Sequence, residues 1–283
     1  MTRRSPSNGT TAARDGNLTL SLHEGDNGSH VVKLQRRLKK LGFNPGKIDG
    51  DFGPATAAAL LAFQKSENLL ADGIAGPRTL MALGITHKAD LPSAIPGVTP
   101  RIVTQIFPYT PVDNIKTNLP FVLDALVNVH MEDKPMVLMA LATIRAETES
   151  FKPVSEGLSR FNTSPGGHPY DLYDNRRDLG NQGAGDGERY KGRGFIQLTG
   201  RANYEKYGKA LGLGNQLLDN PDLANDPTTA AALLAIFLKD KERSIKEALL
   251  ENDMRRARRL VNGGSHGLAR FSDAYLKGES LIV

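Results

Sequence analysis

"KPMVLMALATIRAET", residues 134–148, decides how most of this chain is read. Pro135 suits the first turn of a helix, the following residues are largely apolar, and the run ends in charge, so a helix over this stretch is expected. Three carboxylates sit at or just past its end: Glu147, Glu149 and Glu156. Each helical residue advances about 100° around the axis, so Glu147 and Glu149 lie roughly 200° apart and cannot both face one cleft. With Leu141 and Ile144 turned to the core, Glu147 falls at the margin of the apolar stripe beside Ala140 and Thr143. Glu149 then falls on the far side, where it is expected to be dispensable. Glu147 is therefore the half-buried carboxylate. Apolar neighbours and the negative end of the helix dipole favour its protonated form, while the adjacent Arg145 opposes them. Glu156 lies nine residues on, past Pro153, in a loop that can fold back across a groove as a solvated base.

The chain around this helix also reads as mainly helical. "NLPFVLDALVNVHME" precedes it, and "RANYEKYGKALG", "DPTTAAALLAIFLKDK", "SIKEALLE" and "DMRRARRLVNGG" follow, with Asp226 and Asp253 as expected N-caps. Residues 150–198 turn Gly-, Asn- and Pro-rich, and a long irregular stretch inside a compact domain usually carries function. Within it begins "YKGRGFIQLTGRANY", 190–204, whose alternation places Gln197 and Thr199 on one face of an extended segment, with Asn203 beyond. Such a face can hydrogen-bond sugar hydroxyls or hold an attacking water.

Toward the N-terminus the pattern changes. "DGDFGPAT", 49–56, and "DGIAGPRT", 72–79, form a near-repeat, each an Asp-Gly turn followed by a proline and an apolar run. Before them, Val31, Leu34, Leu38 and Leu41 recur at helical spacing, and Gly42 is the expected stop. Three short helices are expected over residues 26–84. Residues 1–25 read as a flexible arm. Residues 85–103 hold three prolines and no helical stripe, and read as a linker to a second domain over 104–283.

Composition narrows the chemistry. The 283 residues include no cysteine, which excludes disulfides and thiolate metal sites, and no run approaches the roughly 18 apolar residues of a membrane helix. "MTRRSPSNGTTAARDGN" has a basic start but no apolar segment after it, so accumulation in the cytoplasm is expected. A net charge of +5 favours an anionic partner. The basic helix "NDMRRARRLVN" reads first as a solvated face, and beside that as a contact of Arg255, Arg256 and Arg259 with an anionic outer membrane or wall polymer.

Two resemblances organise these observations. "GDNGSHVVKLQRRLKKLGF", "GKIDGDFGPATAAALLAFQ" and "LADGIAGPRTLMAL" together resemble the peptidoglycan-binding type 1 domain. This implies a three-helix wall-binding module, with Asp49, Asp51, Phe52, Thr56 and Asp72 as candidate contacts. For Phe52, as for Leu60 and Phe63, burial in the core is the stronger reading. The second half resembles glycoside hydrolase family 19, the chitinase-like lysozymes, in the form found in bacteriophage endolysins. "AETESF" matches the end of that family's catalytic helix, with Ala146 where the family has histidine, and the Tyr190–Thr199 stretch matches its signature. The resemblance implies a lysozyme-like helical domain with a long irregular cleft region, Glu147 as general acid and Glu156 as general base. It also implies Thr199 and Asn262 as holders of the attacking water, and Tyr190, Arg193, Gln197, Asn203, Asn262 and Arg270 as substrate contacts. Hydrolysis with inversion requires carboxyl groups about 6.5–9.5 Å apart, against about 5 Å for retention.

The expected protein is thus a monomeric, modular, cofactor-free hydrolase of bacterial peptidoglycan that reaches the wall once another protein opens the membrane. A chitinase and a non-catalytic wall binder are the alternatives. "KGRGFI" superficially resembles an RNA-binding strand, but Arg193 stands where a stacking aromatic is needed, so no nucleic-acid partner is expected. His130, His168 and His266 show no metal-ligand spacing, so no metal is expected.

Overall fold

A computed structural model describes residues 21–86, 92–264 and 266–282. They form two compact units: residues up to Leu60 with those from Gly73 to Thr86, and Leu61–Asp72 with the residues from Pro92 on. The expected flexible arm lies outside the described residues as far as residue 20. Order begins before Asp26, because Leu22 already exchanges backbone hydrogen bonds with Ala75. The second difference concerns the linker, of which residues 87–91 lie outside the described residues. Residues 94–103 are not a linker: Ala94, Val98 and Val103 are buried in the core of the second unit. Two of the prolines that suggested a linker open helical turns instead, Pro96 in a 3-10 turn and Pro100 at the start of an α-helix.

In the N-terminal region, α1 spans Ser29–Lys40, α2 Pro54–Ser66 and α3 Pro77–Ala82. Val31, Leu34 and Leu38 are fully buried, whereas Leu41, expected to extend the stripe, is the exposed C-terminal cap. Gly42 follows with φ of 90°, a left-handed geometry that favours glycine. The near-repeat is a repeat of hydrogen bonding as well as of letters. Gln35 donates to the Asp49 carboxylate at 3.0 Å, and Gln64 donates to that of Asp72 at 2.9 Å. In both copies the glycine after the aspartate, Gly50 or Gly73, is left-handed.

Burial removes Phe52 and Thr56 from the candidate wall contacts, since their exposures are 2% and 1%. Asp49 is committed to its turn, accepting from Gln35 and from the Asp51 amide, and these bonds, the Gln35 one foremost, hold its carboxyl below the usual range. Asp72 likewise is bonded within its own turn, which leaves the exposed Asp51 as the candidate whose side chain is not tied into a turn.

The second unit contains α4 (Pro100–Ile106), α5 (Val112–Asn128), α6 (Lys134–Glu147), α7 (Asp186–Arg189) and α8 (Arg201–Ala210). It continues with α9 (Gln216–Asp219), α10 (Pro227–Asp240), α11 (Glu242–Leu250), α12 (Met254–Asn262) and α13 (Leu268–Leu281). Helix α6 is the axis, with every residue from Met136 to Ala146 buried. Asp133 caps it by accepting from the Met136 amide, and Asp226 and Asp253 cap α10 and α12 in the same way. Helix α13 lies along α6 at close range, because a Cβ on Gly278 would fall 2.4 Å from Leu138 Cδ2. Between α6 and α8 the irregular stretch is held by carboxylates rather than by an apolar core. Asp174 accepts from the Gly185 and Gly187 amides and from His168, and Asp186 takes both the Gln182 amide and a bidentate Arg201.

Gln35 carries the first repeat, being 1% exposed and bonded to Asp49, Thr56, the Asp51 carbonyl and the Gly50 amide. Gln35→Leu leaves those groups without their partner and is expected to cost about 2–3 kcal/mol. The readout is a lower urea midpoint by circular dichroism, and an unchanged midpoint would remove this role.

Candidate active site

Glu147 closes α6, and the burial of that helix sets the position of its carboxylate, which is 12% exposed. Among the described residues a single cation meets it. Arg258, on α12 and wholly buried, brings Nη2 within 2.7 Å of Glu147 Oε1. The approach is off the line of a proper hydrogen bond, so the contact is one of charge. Arg258 is fixed from behind: its Nε donates to the His266 carbonyl at 3.0 Å, and the guanidinium lies 5.7 Å over the Phe271 ring. The Asn262 amide stands a long 3.5 Å from the same Oε1. Glu147 Oε2 has no bonded partner among the described residues.

The chain reverses directly after Glu147, and Pro153 is not what turns it. Glu149 and Phe151 take left-handed backbone angles of 45° and 53°, a costly geometry for residues other than glycine. Burial of Phe151 between Phe107 and Phe195, at 4.9 and 6.2 Å between ring centres, offsets that cost. Asn114 and Thr110 donate to the Ser150 and Glu149 carbonyls and hold the bend. The reversal carries the chain to Glu156.

Neutral donors hold Glu156. Its Oε1 accepts from Asn162 at 3.0 Å and from the Tyr173 hydroxyl at 2.9 Å, and its Oε2 accepts the Gly192 amide at 3.2 Å. Burial, then the Glu156 charge, push the Tyr173 phenol well above its ordinary value, so it stays a donor throughout the accessible pH range. Gly192 lies at the centre of the group. A Cβ there would sit 3.0 Å from Gln197 Oε1, 3.2 Å from Glu156 Oε2 and 3.2 Å from Thr199 Oγ1.

One cleft of about 720 Å³ is lined by both glutamates together with Gln197, Thr199, Asn203, Asn262 and Arg270. Sequence reasoning placed these residues at a common site, and they share it. Four details differ. Gln197 is not on an extended segment: its φ is 51°, and Arg193 and Leu198 exchange backbone bonds across a tight turn that still presents Gln197 and Thr199 to the cleft. Tyr190 is buried with its hydroxyl at the Leu218 carbonyl, and Arg193 is buried on Asp222 and Tyr204, so both are framework rather than substrate contacts. Asn262 stands beside Glu147, not beside the proposed base.

The fourth difference is Glu149. It is not a loose surface charge, because the buried Arg145 pairs with it at 2.5 Å and Arg270 at 2.8 Å. Burial raises the Glu149 carboxyl, but the bonds to Arg270 and Arg145 outweigh it and leave the group below its ordinary value. Arg145 is thereby turned to Glu149 and away from Glu147.

Arg258, Asn162 and Tyr173 were missed. For Arg258 a signal existed, since Met254, Ala257, Arg258 and Val261 share one helical face and the arginine interrupts an apolar stripe. For Asn162 and Tyr173 only their place in the irregular stretch pointed to a role. The basic face expected on this helix is also largely committed: Arg258 is buried, Arg256 pairs with Glu251 and Glu247, and Arg259 lines the cleft.

Comparison with known proteins agrees with the two-part reading. Residues 27–83 match the family model of the peptidoglycan binding domain, and residues 168–249 match that of glycoside hydrolase family 19, chitinase class I. The chain therefore joins a peptidoglycan-binding module to a glycoside hydrolase family 19 module. The second match contains Gly192, Gln197, Thr199 and Asn203, while both glutamates lie upstream of it. The N-acetylmuramoyl-L-alanine amidase CwlM of Mycobacterium tuberculosis is 41% identical over 78 residues, 28% of this chain and 18% of that protein. A glycosyl hydrolase family 19 domain-containing protein of Haemophilus influenzae is 33% identical over 98 residues, 34% of this chain and 44% of that protein. Chitinase C from Streptomyces griseus aligns in structure over 66% of this chain and 76% of its own, at 19% identity and a TM-score of 0.38. The chain spans less than half the length of these two curated relatives.

Two substitutions test this geometry. Gly192 is outside the left-handed region, so Gly192→Ala acts through space alone and should lower turnover at least about tenfold by displacing Glu156, Gln197 or Thr199, with little change in melting temperature. Glu149→Gln strips two arginines of their charge partner, and is expected to cost about 1–3 kcal/mol, the half-exposure of Glu149 keeping the loss modest. That carboxyl is depressed in the folded protein, so its contribution is present above the unfolded carboxylate pKa and fades as pH falls through the folded value. The melting-temperature gap between wild type and Glu149→Gln should accordingly be full at pH 7 and close in strong acid; a gap that widened on acidification would reverse the sign.

Proposed function

We propose that this protein is an endolysin-type peptidoglycan hydrolase that cuts β-1,4 bonds of the bacterial wall glycan with inversion at the anomeric carbon. The observation that carries the reading is that each cleft glutamate has one anchored and one available oxygen. Oε1 of Glu147 is fixed by Arg258, which leaves Oε2 to carry the proton delivered to the glycosidic oxygen as the C1–O bond breaks. Oε1 of Glu156 is fixed by Asn162 and Tyr173, while Oε2, which accepts the Gly192 amide, keeps a second lone pair to take a proton from the water attacking C1. Thr199, whose hydroxyl donates to the Gln197 carbonyl at 2.8 Å, keeps its lone pairs for that water. The reaction ends with Glu147 ionised and Glu156 protonated, and proton exchange with solvent resets the pair.

The choice of peptidoglycan over chitin rests on the N-terminal module, which would hold the enzyme on an insoluble polymer and raise the local concentration of its substrate. In this reading the protein acts as a monomer in host lysis, accumulating in the cytoplasm before a separate protein admits it to the wall. The names of the matched relatives, an amidase acting on N-acetylmuramoyl-L-alanine among them, support the wall as the destination.

Turbidity loss of purified peptidoglycan and of colloidal chitin separates the alternatives. Wild type should clear the first faster, Glu147→Gln and Glu156→Gln should each lose at least about 100-fold in kcat, and the first product released from a β-linked glycan should be the α-anomer by proton NMR. Normal lysis by Glu147→Gln would remove the acid, and a β-anomer would replace inversion by retention.

A further inference from the structure

The charges that line the cleft are unequal. Besides the two glutamates, its walls carry Lys206, Lys241, Arg259 and Arg270. Glu147 is compensated by Arg258, and Arg270 is already paired with Glu149, which it shares with Arg145. Lys206 and Lys241 share a single carboxylate, Asp240, at 2.7 and 3.4 Å. Arg259 is exposed and has no hydrogen-bonded or ionic partner among the described residues. Three cations thus face one aspartate on the part of the wall built by α8, the α10–α11 junction and α12.

This group is organised, not a scatter of surface lysines. Lys241 is three-quarters buried, lies 3.9 Å over the Phe237 ring and reaches the Tyr207 hydroxyl at 3.2 Å. Tyr207 in turn bonds Asp240 at 3.1 Å, so ring, carboxylate and ammonium brace one another. Phe237 and Tyr207 also line the cleft, giving an apolar floor beside the cations.

A neutral N-acetylglucosamine polymer offers these cations nothing to pair with. Peptidoglycan does, through the carboxylates of its peptide stems and, where a stem has been removed, through the lactyl carboxylate of muramic acid that its removal frees. We propose that Lys206, Lys241 and Arg259 form a carboxylate-recognising subsite through which the cleft itself, independently of the N-terminal module, prefers acidic, peptide-bearing glycan. The inference deepens the peptidoglycan reading and rests on it.

The test measures affinity, so it does not depend on turnover. In the full-length Glu147→Gln background, calorimetry compares three soluble glycan fragments of equal length: one with peptide stems, the same fragment stripped of stems so that its lactyl carboxylates are freed, and a neutral N-acetylglucosamine oligomer. Arg259→Gln should weaken binding of the stem-bearing fragment about three- to tenfold at low salt, with the deficit shrinking at 0.5 M salt and largely restored by Arg259→Lys. Lys206→Gln should act in the same direction. Binding of the neutral oligomer should change less than twofold. A penalty lost on the stripped fragment restricts the contact to the stem carboxylates, and a penalty kept there shows that the freed lactyl carboxylate is accepted as well. Equal weakening for charged and neutral fragments, no weakening, or a parent that does not prefer the charged fragment would each overturn the subsite. Because Arg259 is exposed and unpaired, its replacement should leave the melting temperature unchanged. Failure of the wild type to lyse peptidoglycan would count against the parent reading, whatever these affinities are.

Discussion

A guanidinium with no solvent exposure must have a carboxylate, and Arg258 has Glu147. Removing a charge from water costs several kcal/mol, and only a close opposite charge with further polar contacts offsets it. That requirement fixes more than one side chain. The C-terminus of α6 has to end where Arg258 reaches, α12 has to present Arg258 inward, and the turn into α13 has to offer the His266 carbonyl to Nε. Gly267 follows with φ of 70°, and a Cβ there would stand 3.3 Å from the Ala146 carbonyl and 3.6 Å from Arg258 Nη2. The last turn of the buried helix, the basic helix and the start of the final helix are in register around one ion pair.

The same economy governs the second carboxylate, by different chemistry. Glu156 sits on irregular chain, where no helix can position it, and three neutral donors take that role. All three come from the Gly-, Asn- and Pro-rich stretch, whose own backbone is held by Asp171, Asp174 and Asp186 accepting amides and a hydroxyl. An acid-base pair needs its groups in fixed positions but unlike surroundings, and here one glutamate faces a cation while the other faces phenol and amides.

The sequence made legible what periodicity and turn chemistry encode. The α6 helix, the Asp226 and Asp253 caps and the twice-repeated Asp-Gly turn were readable because each depends on near neighbours in the chain, and the grouping of Glu147, Glu156, Gln197, Thr199 and Asn203 was implied by a family resemblance. What was not readable depends on distant ones. Tyr190 and Arg193 carry a motif's letters, yet Leu218 and Asp222, more than twenty-five residues on, hold them in the framework. Glu149 was placed on a helix wheel, whereas α6 ends at Glu147 and Glu149 is left-handed, and its role was missed because Arg270 lies 121 residues away. Prolines 96 and 100 suggested a tether, although proline opens a helical turn as readily as it extends a linker, and burial of Ala94, Val98 and Val103 decides between the two.

Net charge was the least local of these signals, and its location differs from the one composition suggested. An excess of +5 and a helix with four arginines pointed to a basic outer face. Many of the cations are spent on carboxylates along the surface: Arg176 on Asp178, Lys209 on Glu205, Arg243 on Glu247, Lys277 on Asp273. Exposed pairs of this kind add little stability, but they cancel the field that a distant polyanion would feel. The cations left over inside the cleft act differently. There the walls displace water, screening is weaker and a bound carboxylate would meet Arg259 and the Lys206–Lys241 pair at short range. An imbalance that does little on an open helix face therefore becomes selective when the same few charges line a groove.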